Sequence, residues 1–167
     1  MKVAGNHPLL KPYLGRPAIL DSNLLLLQWC ASYDRELIGS FKRLSYFQIE
    51  DIQLLSETLK VFKTVRTTPH VLTEVSNLAN SLPAWRKDLW SQFFAEQITL
   101  TPEIYTASAE VASDVAAIRF GITDAALTQL ASDHVILTID WPLANILESR
   151  GLSVINFTHL REAFLYS

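Results

Sequence analysis

This chain predicts an α/β fold, a doubly wound and mostly parallel sheet between helices, and three observations carry that expectation. The run Val135-Ile136-Leu137-Thr138-Ile139 is aliphatic and β-branched without polar interruption, as a strand covered on both faces has to be. Ala18-Ile19-Leu20 is a shorter run of the same kind near the other end. Between and around them, short apolar stretches alternate with helical spacing, which favours a parallel sheet over a sandwich or a bundle.

The elements follow in order. Residues 1–17 hold three of the seven prolines and two of the five glycines and are expected to form an N-terminal arm. Residues 18–21 are the first strand. Residues 23–33 are a helix whose apolar content on all sides demands burial. Gly39 argues against one uninterrupted helix over 34–47. Ile49, Ile52, Leu55, Leu59 and Phe62 keep helical spacing over 48–63, with acids toward the start. Residues 66–68 are expected as a brief strand, followed by helices over 71–80 and 84–95, the first opened by Pro69. A strand over 97–100 comes next, then a helix from Thr101 as N-cap to about 119. Thr123 is expected to cap a helix over 124–132. The strand 135–139, a helix over 142–150 ended by Gly151, a strand over 153–157 and a terminal helix over 158–164 complete the chain.

Bulk properties narrow the function classes. With 167 residues, 49% apolar and 19% charged, the chain is long enough for one domain with its own core, and a single domain over 18–167 is expected. Mean hydropathy is slightly positive at +0.18, yet no apolar run approaches the roughly 18 residues of a spanning helix. The first residues carry no signal-peptide pattern. A soluble, cytoplasmic protein without membrane contact is the expectation. Cys30 is the single cysteine, so an internal disulfide and a multi-cysteine zinc site are both excluded. Net charge is −3, which argues mildly against a dedicated nucleic-acid binder but leaves room for an enzyme that gathers carboxylates in its site.

Four acids stand at the ends of apolar strands or near helix starts: Asp21, Glu74, Asp124 and Asp140. In an open parallel sheet the carboxyl ends of strands face the crevice where ligands bind. Asp21 and Asp140 each end a strand there, and Glu74 and Asp124 are placed to close the pocket from helix starts. Each taken alone has a plainer role as a helix cap or a surface acid. Together they form an all-oxygen donor set suited to a hard divalent cation.

The segments that carry these acids, Ala18-Ile19-Leu20-Asp21-Ser22-Asn23-Leu24-Leu25, Thr68-Pro69-His70-Val71-Leu72-Thr73-Glu74-Val75, Gly121-Ile122-Thr123-Asp124-Ala125-Ala126 and Val135-Ile136-Leu137-Thr138-Ile139-Asp140, resemble the PIN-domain pattern in their order. The resemblance covers residues 18 to about 157. It implies a three-layer α/β/α fold and a metal-dependent ribonuclease, best known as the VapC-like toxin of a toxin–antitoxin pair. Asp21, Glu74, Asp124 and Asp140 would then be the catalytic carboxylates that hold Mg²⁺ or Mn²⁺. Asn23 and Thr138 would orient them by hydrogen bonds. The implied partners are an RNA substrate, a cognate antitoxin protein and further copies of the chain in a homo-oligomer. Two departures stand out: Trp141-Pro142-Leu143 follows the last Asp, where similar proteins often place further acidic or polar residues, and residues 34–66 with the N-terminal arm make the chain somewhat longer than a compact toxin. A PIN-like module that binds RNA or protein without cutting is the alternative. His70 is the one histidine near a motif, where a catalytic role and a contact to RNA are the two functional readings.

Overall fold

The computed structural model describes residues 7–165. Residues 1–6 of the expected arm and residues 166–167 lie outside the described residues. Four parallel strands form one sheet in the order β2-β1-β3-β4, where β1 is Pro17–Leu20, β2 Thr64–Arg66, β3 Val135–Thr138 and β4 Val154–Asn156. All four residues of β3 are buried, and so are Ala18, Ile19 and Leu20 of β1. Side chains alternate between the two faces of a strand, so burial of consecutive residues means that both faces are covered. This is the helix–sheet–helix layering that the aliphatic runs predict.

The helices α1 (Ser22–Tyr33), α2 (Leu37–Ser40), α3 (Ile49–Leu59), α4 (Pro69–Ala79), α5 (Ala84–Leu100), α6 (Ser108–Val111), α7 (Val115–Ile118), α8 (Ile122–Leu130), α9 (Trp141–Ser149) and α10 (Phe157–Leu165) occupy the connections. Leu24 to Leu27, Trp29 and Cys30 of α1 are all buried, in keeping with a helix apolar on every side. Burial pushes the Cys30 thiol up to about 12, so it behaves as a small hydrophobe and not as a nucleophile. α2 is a single turn, broken where Gly39 takes a φ of +87° that other residues avoid.

Three expectations need correction. The strand expected at 66–68 starts earlier, at Thr64, because Thr68 serves as N-cap of α4: Val71 N donates to Thr68 Oγ1 at 3.2 Å. The strand expected at 97–100 is the last turn of α5. Trp90, Phe94 and Ile98 continue one stripe at four-residue spacing, and packing of that stripe on the core overrides the local alternation of Ile98 and Leu100. Edge-on ring contacts of Trp29 with Phe94 (5.4 Å) and Tyr33 with Trp90 (5.6 Å) dock α5 on α1. The helix expected from Thr101 to about 119 is replaced by an extended segment over 102–107 and the short helices α6 and α7. Thr67 N donates to Pro102 O (3.0 Å) and Ile104 N donates to Thr67 O (2.8 Å), so this segment pairs with the chain just beyond β2. Backbone groups at a sheet edge demand partners, and β-branched and aromatic residues such as Ile104, Tyr105 and Thr106 suit that place.

The described part of the N-terminal arm is packed. Leu10 is fully buried, Tyr13 Oη donates to Val154 O (3.1 Å) and Arg16 Nη1 to Ser153 Oγ (2.8 Å). Among the described residues no helix is long and apolar enough to cross a membrane.

Candidate acidic site

The chain leaves β1, returns as β2 on one side, and then crosses to β3 on the other side of β1. The carboxyl ends of β1 and β3 are therefore the topological switch point, the place where an open α/β sheet opens a crevice. Asp21 follows β1 directly, and Asp140 lies two residues beyond β3. Asp21 N donates to Leu137 O at 2.8 Å, which continues the parallel ladder and brings the two strand ends into register.

Asp21 is buried, with 4% of its surface exposed. It caps α1, Oδ1 accepting from Leu24 N at 2.7 Å, while Oδ2 accepts from Thr138 Oγ1 at 2.5 Å and from Ile139 N at 3.0 Å. Burial nonetheless raises its carboxyl to about 6; these three hydrogen bonds oppose the rise and the nearby Asp140 adds to it. Asp140 caps α9, accepting from Leu143 N at 2.9 Å. Thr138 joins the two acids, because its hydroxyl donates to Asp21 and accepts from Asp140 N at 2.8 Å. The plain reading of both aspartates as helix caps is thus satisfied, and each cap orients the carboxylate at the switch point.

Glu74 lies in the interior of α4, not at a helix start as expected, and Ser22 Oγ donates to its Oε2 at 2.8 Å. Ser22 was not singled out by sequence, although it sits beside Asp21 at the first position of α1, one place where a short hydroxyl can reach across to α4. Asp124 lies in the first turn of α8, whose N-cap is Gly121 at φ +123°, not Thr123 as expected. Its carboxyl rises to about 7, through burial first and then through the charges of Asp140, Glu74 and Asp21. Asp124 therefore feels the charges of the other three predicted acids, and Asp21 that of Asp140. Among the described residues, however, no three His, Cys, Asp or Glu side chains converge tightly enough to ligate one ion. The two findings are compatible, since charge repulsion reaches several times farther than an oxygen–metal bond of about 2–2.6 Å. The donor chemistry fits a hard divalent cation; the side-chain positions would have to close on it.

Asn23 lines an open groove of about 910 Å³ with Lys42, Arg43, Trp85 and Arg86. Arg86 is paired there with Asp34 and lies 4.4 Å over the Trp85 ring. Trp141, at the start of α9, is 55% exposed and sets its ring edge-on against His159 at 5.2 Å.

Thr138→Val is expected to cost about 2 kcal/mol, the scale of a charge-assisted buried hydrogen bond, while Thr138→Ser keeps both contacts and most of the stability. Urea denaturation of the two variants checks this; equal midpoints would remove Thr138 as the link between the acids. No family model matches the chain, and no curated protein matches it.

Proposed function

We propose that the chain is a divalent-metal-dependent endoribonuclease of the PIN type. The observation that carries the reading is the gathering of acids about the β1/β3 switch point, where burial first, and then the charges of Asp140, Glu74 and Asp21, raise the Asp124 carboxyl to about 7. Gathering like charges in a half-buried crevice costs stability, and a ligand of opposite charge is the straightforward compensation. A bound Mg²⁺ or Mn²⁺ would supply a Lewis acid and a water acidic enough to attack an RNA phosphodiester in line.

The chain's own part is positioning. Asp21 is held at both oxygens by Leu24, Thr138 and Ile139, so its carboxylate direction is set before anything binds. Asp140 is held by Leu143, and Glu74 by Ser22. Asp124, its carboxyl raised to about 7, is placed to exchange a proton near neutral pH in the metal-free protein. The reading extends to a toxin role in the cytoplasm, with a cognate antitoxin protein and self-association, as the resemblance implies.

The test is cleavage of single-stranded RNA by purified protein with Mn²⁺ or Mg²⁺, against Asp21→Asn and Asp140→Asn. Activity that needs the metal and falls more than about a hundredfold in either variant is the expected result. RNA binding without metal-dependent cleavage would point instead to the non-cutting module.

A further inference from the structure

Beside the acids lies a second feature that the cleavage chemistry does not use. A pocket of about 460 Å³ opens against α4, within the range of about 300–1,000 Å³ typical of small-ligand sites. One wall is a polar stripe on α4, where His70, Thr73, Glu74 and Asn77 recur at three- and four-residue spacing. The opposite wall comes from the extended segment 102–107 and the start of α6, which contribute Tyr105 and Ser108. Ile122 and Thr123, directly before Asp124, close one end. Glu74 is thus shared between the pocket and the acidic site.

The lining decides what class of ligand fits. No Lys or Arg lines it among the described residues, and Glu74 is an anion, so a phosphate group finds no charge partner there. What the pocket offers is an aromatic ring, an amide, hydroxyls and an imidazole. Tyr105 is 78% exposed, so its ring face is open to a stacking partner. His70 Nε2 lies 3.2 Å from Ser108 Oγ, which ties α4 to α6 across the pocket and orients the imidazole. Its other nitrogen, Nδ1, is buried without a partner among the described residues. Unstacked RNA bases are held by aromatic stacking and by hydrogen bonds to their edges, the two things this lining supplies.

We infer that this pocket is a base-binding subsite, which takes the nucleotide next to the scissile phosphate of single-stranded RNA, with Tyr105 as the stacking platform and Asn77 reading the base edge, while His70 holds the two walls together through Ser108. The inference rests on the ribonuclease reading for its substrate. Stacking tolerates every base, whereas edge hydrogen bonds discriminate, so the two wall types have separable effects.

The experiment is cleavage of a randomised single-stranded RNA pool with Mn²⁺ by the wild type, Tyr105→Ala, Tyr105→Phe and Asn77→Ala. Tyr105→Ala is expected to raise KM about tenfold for all sequences with kcat kept, and Tyr105→Phe to stay near wild type. Asn77→Ala is expected to flatten the base preference beside the cut. Wild-type KM in Tyr105→Ala together with wild-type preference in Asn77→Ala would overturn the subsite and leave the nuclease reading intact. Should the wild type cut no RNA at all, the nuclease reading fails by itself. Ligand-observed NMR with the four nucleosides then decides the pocket: binding lost in Tyr105→Ala supports a base site, and no binding to wild type overturns it.

Discussion

Asp124→Asn is expected to make the metal-free protein more stable at neutral pH while removing its response to metal. The carboxyl of Asp124 is raised from 3.8 to about 7, and that of Asp21 from 3.8 to about 6. Both groups hold their proton more tightly folded than unfolded. Metal-free stability is therefore greatest with the acids protonated, and it falls as pH rises from about 4 through about 7. Asparagine keeps the shape and discards the charge. Its favourable removal of burial cost and repulsion is on the order of 2 kcal/mol once solvent screening at this part-exposed side chain is discounted. Against it stands the loss of an anion in the first turn of α8, where the helix dipole contributes about 0.5 kcal/mol. Burial cost and repulsion together outweigh that loss, so the net effect is a gain.

Thermal melts from pH 4 to 8, with and without Mn²⁺, read this out. His134 contributes the opposite slope: burial lowers its pKa, so its contribution to stability is lost as pH falls below the ordinary value of 6.5. Subtracting the variant's profile from the wild type's removes the His134 slope and leaves the Asp124 contribution with its coupling to the other acids. A wild-type melt that gains nothing from Mn²⁺, together with an Asp124→Asn protein less stable at pH 7.5, would overturn the account of the site as a charge trap.

Arg161→Ala is expected to be the most destabilising single change outside the apolar core, at about 3–5 kcal/mol. Arg161 of α10 pairs with Asp51 of α3, Nε to Oδ1 at 2.7 Å, with Asp51 fully buried and Arg161 7% exposed. The guanidinium also lies 4.6 Å over the Tyr46 ring. Asp51 Oδ2 accepts from Gln48 N at 2.8 Å in a capping box that starts α3. Burial lifts the Asp51 carboxyl above its ordinary range, and the Gln48 N–H and Arg161 pull it back only in part. Removing the arginine strands a buried carboxylate. The double variant Asp51→Asn with Arg161→Met should recover most of the loss, since asparagine can still cap and methionine fills the apolar space without a charge. Guanidinium midpoints of Asp51→Asn, Arg161→Met and the double, beside the wild type, close this thermodynamic cycle. A double variant no more stable than Arg161→Ala would show that the pair is worth more than its desolvation cost.

The same ion pair explains why residues 34–66, which look like an addition in sequence, belong to the folded body: they are tied to the last helix. Nothing local signals that, because Asp51 reads as an ordinary helix-start acid and Arg161 as a surface cation.

What the sequence determines by itself is local. Val135 to Thr138 had to be a covered strand because no polar side chain interrupts it, and Asp21 and Asp140 had to cap helices because each precedes a helical run whose first N–H groups need an acceptor. Those two facts place the central acids at strand ends before any tertiary contact is known. Only the tertiary structure decides that β1 and β3 are neighbours, that Thr138 bridges residues 117 and 2 positions away, and that Ser22 rather than Asn23 reaches Glu74. It also turns 102–107 from the expected helix into an extended edge, and with it builds the wall that carries Tyr105. The physical reason is the same in each case. Side-chain periodicity reports how a segment buries its own faces, whereas pairing depends on which backbone and polar groups elsewhere in the chain are left without partners.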